Sequence, residues 1–245
     1  DWAYVQTKDH GAIVRGEYDL TDDLMAYAAF GTSDTRYVYS GTMLATVFNE
    51  AGDFKTSMGQ LKMELEKTSG EAGLKGNFQT AAIKHQWSIN ATHYGDTQKD
   101  YGRRQVPGAD WITNIYNPVW GPAADKSFPY IAHSETRLTS YGVADTLSVL
   151  EDQVQLTLGV RRQQVLTDTF SVSTGARTGR YDEAATTPAA ALLVKLTDNI
   201  SVYANYIEGL SKGATAPMTA ANAGDVFAPY KSCLLYTSPS PRDLS

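Results

Sequence analysis

Between residues 98 and 133 the chain gathers Tyr101, Arg103, Arg104, Trp111, Tyr116, Trp120, Phe128 and Tyr130. Flat aromatic faces beside guanidinium forks suit a bulky ligand with apolar walls and negative charge, held by stacking and charge-assisted hydrogen bonds. The same rings and the nearby prolines equally suit a loop that packs on itself. Bond-making chemistry has no comparable cluster. His10, His85, His93 and His133 fall on separate expected elements, none in an H-E-x-x-H or Cys/His spacing. A phosphate loop of the form G-x-x-x-x-G-K-S/T is missing as well. No catalytic residue, no metal ligand and no directly bound cofactor is therefore expected. His85 and His93 lie eight apart, so on one strand they share its outward face near opposite ends.

Composition narrows the partners. The 245 residues are 42% hydrophobic and 20% charged, ample for one sizeable domain. Aromatics make up 11%, with 15 Tyr against 7 Phe and 4 Trp, a bias towards side chains that suit a half-apolar, half-wet boundary. The formal charge of −6 comes without a basic block, so nucleic acid is not an expected partner. A spanning helix would need about 18 consecutive apolar residues, which occur nowhere, but a spanning strand needs only about 10 of alternating character. A mean hydropathy of −0.33 is compatible with the second case. The single cysteine, Cys233, allows no intramolecular disulfide.

The elements that must position these residues read as strands. Val154, Leu156, Leu158 and Val160 interleave with Gln155, Thr157, Gly159 and Arg161. Trp87, Ile89 and Ala91 alternate with Gln86, Ser88, Asn90 and Thr92 in the same way. Weaker alternation runs through Val14, Gly16, Tyr18 and Leu20 against Arg15, Glu17 and Asp19, and through Ile200, Val202, Ala204 and Tyr206 against Ser201, Tyr203 and Asn205. Short polar turns are expected at 20–24, 80–82, 150–154 and 196–200, three of them rich in Asp or Asn. Long connections are expected at 36–55, 98–133, 171–184 and from 211 onward. Eight strands result, near 10–20, 24–35, 57–79, 83–96, 135–149, 153–170, 186–196 and 200–210, paired as four up-down hairpins. No long helix is expected, since Pro188 interrupts the alanine-rich run.

One dry face and one wet face describe a soluble sheet as well as a membrane wall. The alternation of short turns with long connections favours an antiparallel up-and-down transmembrane β-barrel, with the apolar face towards lipid and the polar face towards the lumen. On that polar face Arg15, Glu17 and Asp19 and, on another strand, Arg161 and Gln163 could cross-pair. Tyr18, Tyr27, Trp87, Tyr94, Tyr141, Tyr203 and Tyr206 are candidates for interfacial girdles. The alternative is a soluble β-rich binding module, carbohydrate-binding or adhesin-like. An enzyme on a β-scaffold would need a cluster of acid, base and nucleophile that the sequence does not contain.

Specific strings go beyond periodicity. RGEYDLTD at 15–22, IYNPVWGP at 115–122, TRLTSYGVADT at 136–146, LTLGVRRQ at 156–163 and SVYANYIEGLS at 201–211, followed by FAPYKS at 227–232, resemble TonB-dependent siderophore receptors of the ferrichrome-receptor-like group. The resemblance covers nearly all of residues 1–232. It implies a bacterial outer-membrane receptor, a 22-stranded barrel around an N-terminal plug, with a ferric siderophore as transported ligand and outer-membrane lipid around it. About eight of those strands are expected here. No stretch resembles the plug or a TonB box, so contact with TonB is expected only through a region outside this chain. Residues 233–245 break the pattern and look like translated sequencing-adaptor DNA, a non-native or disordered tail.

Overall fold

The computed structural model describes residues 3–103, 105–121, 128–197, 199–211 and 230–239, together with Gly213, Ala221 and Phe227. Its strands are β1 (Tyr4–Thr21), β2 (Leu24–Val47), β3 (Asp53–Thr80), β4 (Ile83–Arg103), β5 (Asp110–Asn114), β6 (Tyr130–Val149), β7 (Val154–Phe170), β8 (Arg177–Thr197), β9 (Ile200–Ser211) and β10 (Tyr230–Pro239). Neighbours pair antiparallel in the order β1-β2-β3-β4-β6-β7-β8-β9-β10, forming a curled half-barrel. Short β5 lies off this path. It pairs with residues 53–57 of β3, where β4 has already ended. Gly102 makes that departure possible, because its φ of 110° is open to glycine and a Cβ would collide with the Gln60 carbonyl.

Eight strands were expected; among the described residues nine long ones and a short one form. The turns fall where the sequence puts them, at residues 22–23, 81–82 and 150–153, with Thr197 paired to Ile200 around the fourth. Asp198 itself lies outside the described residues. The connections at the other end are shorter than expected: 36–55 shrinks to 48–52 and 171–184 to 171–176, while 104–129 remains long and contains β5. The ladder continues after the alternation stops. On one face β2 reads Leu24, Ala26, Ala28 and Phe30, then Thr32, Asp34 and Arg36, so both faces become wet although the hydrogen bonds run on. β10 pairs with β9 through residues 233–239, within the segment set apart above as a tail. Main-chain pairing on an open edge makes little demand on side chains. Residues 240–245 lie outside the described part.

Directly paired residues share a face, so the register sorts the sheet into two surfaces. One row runs Tyr18, Ala26, Leu74, Ile89, Val143, Val160 and Pro188. These large apolar groups are the exposed ones, with Ile89 51%, Val143 48% and Val160 45% accessible. The opposite face carries Arg15, Tyr27, Glu71, Asn90, Ser140 and Arg161 and, apart from Arg15 on the edge strand, is the more buried, Tyr27 being only 6% accessible. A water-soluble sheet would do the reverse. Trp87 lies flat on the apolar face over Gly76, where a Cβ would come within 2.6 Å of the indole. Below it His85 stacks on Phe78 at 4.3 Å and reaches Asp145 Oδ2 at 2.7 Å. His93 lies on the same face near the other end, as expected.

The upper limit of the apolar band falls from Phe30 on β2 to Tyr206 on β9. Carried through the register, that is about six residues, or about 20 Å along the strands for about 29 Å across them. The slope of about 35° matches the strand tilt needed to close a large barrel. Of the seven candidate girdle aromatics, Tyr18, Trp87, Tyr141 and Tyr206 lie on the apolar face. Tyr27, Tyr94 and Tyr203 are on the polar one, a correction that follows from their strand parity.

Among the described residues, the far edges of β1 and β10 have no neighbouring strand. Both edges offer unpaired donors and acceptors, so the isolated chain should self-associate in detergent-free buffer. Light scattering should report aggregates; a stable soluble monomer would contradict this.

Candidate functional site

The polar face carries a connected network across six strands. Arg15 Nη2 lies 2.6 Å from Glu17 Oε1, and its guanidinium is 5.6 Å from the Tyr27 ring centroid. The Lys75 ammonium sits 4.8 Å from the same centroid. Tyr27 donates its hydroxyl to Glu71 Oε1 at 2.9 Å, and the Asn90 amide donates to the same oxygen at 3.5 Å. Arg161 then reaches back across β6, donating to Ser140 Oγ at 3.0 Å and to Asn90 Oδ1 at 3.3 Å, while Ser140 and Thr92 share a bond of 2.6 Å. Missing side chains make the space. A Cβ on Gly73 would meet the Tyr27 ring at 2.8 Å, and one on Gly142 would meet Asn90 Oδ1 at the same distance.

The expected pairing of Arg15, Glu17 and Asp19 with Arg161 and Gln163 therefore takes a different form. Arg15 is satisfied within its own strand, and Arg161 works through neutral Ser140 and Asn90. A groove of about 500 Å³ opens along this face, lined by Arg15, Ser69, Glu71, Thr92, Ser140 and Gln163 among others. Glu71 and Ser140 were not singled out in the sequence, and Tyr27 was named only as a girdle candidate. The signal that could have found them is glycine on the wet face opposite a long polar side chain.

The candidate ligand residues separate into two groups at the end with the long connections. Tyr101 donates to Glu64 Oε2 at 3.0 Å, receives the Lys62 ammonium 4.3 Å above its ring and meets Tyr130 at 5.0 Å between centroids. Tyr130 leads to His133 at 6.3 Å and His133 to Phe170 at 4.7 Å. By strand parity Tyr101 projects from the same side as Trp87 and Ile89, beyond the apolar band, rather than into the groove. Arg103 is exposed at the end of β4, and half-buried Phe128 precedes β6. Arg104 lies outside the described residues.

The second group surrounds β5. The Trp111 indole donates to the Val119 carbonyl at 3.1 Å and lies flat on Gly121, where any Cβ would collide with the ring. Val119 donates to Thr113 Oγ1 at 2.6 Å, and the Tyr116 amide donates to Asn114 Oδ1 at 2.8 Å. Trp111 and Asn114 thus fold the loop onto β5. Tyr116, whose ring passes close to Gly52, and Trp120 remain 79% and 72% exposed. Among the described residues no group of three or more His, Cys, Asp and Glu converges as a metal site would require.

Three carboxylates stabilise this outer region. The Lys62 ammonium, 2.6 Å from Glu64, holds that carboxyl below its usual range. Amides of Asn114 and then Asn49 do the same for Asp53, and Gln164 followed by Arg180 for Asp182. A lowered folded-state value contributes stability that is complete above the ordinary carboxylate range of about 4 and is lost as pH falls below it. Backbone amides at 53–57 and 110–114 of the full-length receptor should therefore lose hydrogen-exchange protection between about pH 5 and pH 3. Amides at 86–92 should keep theirs. Equal protection of the outer segment across that interval would contradict the assignment.

With this geometry in place, comparison with known proteins is specific. The β-barrel domain described as TonB dependent receptor-like matches residues 1–240. The ferrichrome receptor FcuA of Yersinia enterocolitica is 31% identical over 227 residues, covering 88% of this chain and 29% of that protein. The ferric preacinetobactin receptor BauA of Acinetobacter baumannii superposes with a TM-score of 0.87 at 50% identity, over 95% of this chain and 35% of that one. The ferric-catecholate import receptor Fiu of E. coli K12 shares the fold, with a TM-score of 0.72 at 18% identity. This chain thus spans about a third of the length of these relatives, which are transport receptors rather than enzymes. Residues 1–240 belong to the β-barrel domain of the TonB-dependent receptor family.

Proposed function

We propose that this chain is part of the wall of an outer-membrane receptor that binds ferric siderophores and imports them with energy relayed by TonB. The observation that carries the reading is the inversion of the sheet: exposed hydrocarbon on one side, a hydrogen-bonded polar network on the other. Such a surface is stable when its apolar side meets lipid and its polar side meets a hydrated lumen. Relatives whose names specify ferrichrome and ferric preacinetobactin support the cargo class. TonB would act through a plug region outside this stretch.

Within this reading Tyr116 and Trp120 are the strongest ligand contacts. Their rings stand exposed on a loop that Trp111 and Asn114 hold in place. Rigid exposed aromatics can stack on a chelate without a large ordering cost. Arg103 supplies exposed cationic donors at the end of β4. Tyr101 and Tyr130 support this end from its outer side.

In full-length receptor, Trp120→Ala and Tyr116→Ala should each weaken ferric-siderophore binding by about 1 kcal/mol or more, roughly fivefold or greater. Tyr101→Phe should have a smaller effect. Uptake of radioiron by cells carrying the intact receptor should stop when the proton gradient is collapsed, although surface binding persists. Uptake indifferent to the gradient would sink the energy-coupled account. Ile89→Arg should cost about 2–4 kcal/mol in bilayer-reconstituted protein, and Ser88→Arg much less. Equal costs by denaturant titration would sink the assignment of faces.

A further inference from the structure

We infer that the apolar face carries a docking groove for a membrane amphiphile: an acyl chain on a small-residue floor, with its anionic phosphate headgroup held by Arg162. The inference rests on the outer-membrane reading above. The groove occupies about 820 Å³. Ala26, Ala72 and Ala91 leave the depression, and Leu74, Ile89 and Val160 wall it. It follows two adjacent rows of the register, one of them Ala72, Ala91, Tyr141, Arg162 and Thr186. Arg162 is the one charged residue among its lining.

The position of that charge identifies the occupant. From the short-turn end, the outer face of β7 reads Val154, Leu156, Leu158, Val160 and then Arg162. Eight residues of strand are about 26 Å, or about 21 Å of depth at a tilt near 35°, close to the height of a barrel's apolar band of about 25 Å. Arg162 therefore stands where hydrocarbon gives way to headgroups, on the side of the long connections. Its guanidinium donates to the neutral Thr186 hydroxyl at 3.3 Å, and among the described residues it has no carboxylate within salt-bridge distance. Further out, Arg137 has Glu135 at 3.0 Å, and Arg180 has Asp182 at 3.0 Å and Asp168 at 3.9 Å.

The adjacent Arg161 points to the opposite face and is engaged by Ser140 and Asn90, so the two arginines serve different solvents. A guanidinium fork with open donors at the lipid boundary is complementary to phosphate, and its aliphatic stem can lie along the apolar wall. Tyr141, directly paired with Arg162, adds the half-apolar ring suited to that depth. Free phosphate would gain nothing from the hydrocarbon floor. A lipid engages both parts.

The test uses full-length receptor extracted from outer membranes in detergent and offered phosphatidylglycerol and phosphatidylcholine of equal chain length. Retained lipid is counted by native mass spectrometry. Wild type should retain phosphatidylglycerol several-fold over phosphatidylcholine. Arg162→Gln should bring that ratio near one, and Arg162→Lys should preserve a preference. Ala91→Leu, which fills the floor, should lower retention of both lipids. Inorganic phosphate should displace neither. Equal retention by wild type, an unchanged ratio in Arg162→Gln, or displacement by inorganic phosphate would overturn the groove's assignment. A receptor absent from the outer membrane would overturn the membrane reading itself, so the two failures are distinct.

Discussion

Every backbone donor and acceptor in a membrane-spanning segment must find a partner inside the protein, and on the membrane reading proposed above this requirement shapes the molecule. An extended chain can meet it only by lying between two others. Each inner strand here does so through long, almost uninterrupted ladders, with shifts confined mainly to strand ends. Once the main chain is satisfied in the sheet plane, side chains decide which solvent each face meets. The result is a sheet with apolar side chains exposed on one face and hydrogen-bonded groups on the other.

Residues that lack side-chain bulk organise both surfaces. On the polar face Gly73 and Gly142 leave room for Tyr27, Asn90 and Arg161 to reach one another across strands. On the apolar face Gly76 seats Trp87, and alanines leave the long depression beside Arg162. At the outer end the arrangement changes. There Glu64, Asp53 and Asp182 hold strands and loop together through lysine, asparagine, glutamine and arginine, in a region where both faces are wet.

The hairpin plan and the two faces were legible because alternation of apolar and polar residues is clean in 154–161 and 86–92. Turn positions were legible for the same reason. Strand ends beyond the band were not, since Thr32, Asp34 and Arg36 read as loop while remaining in the ladder. Of the aromatic loop, the sequence revealed composition but not geometry. It could not separate Trp111, whose indole donates to the Val119 carbonyl and lies over Gly121, from Trp120, which stays 72% exposed in the same loop. Tyr27, a girdle candidate, stands by strand parity on the polar face, where it donates to Glu71, 44 residues away in sequence.

The central claim is that the side of the sheet bearing Leu158 and Val160 meets lipid while that bearing Thr157 and Arg161 meets water. Spin labels on Val160→Cys and Arg161→Cys in full-length receptor, reconstituted in a bilayer, test it most directly. The label at 160 should be relaxed by oxygen dissolved in the hydrocarbon, and the label at 161 by a water-soluble nickel chelate. Equal response at both positions, or the reverse order, would contradict the account.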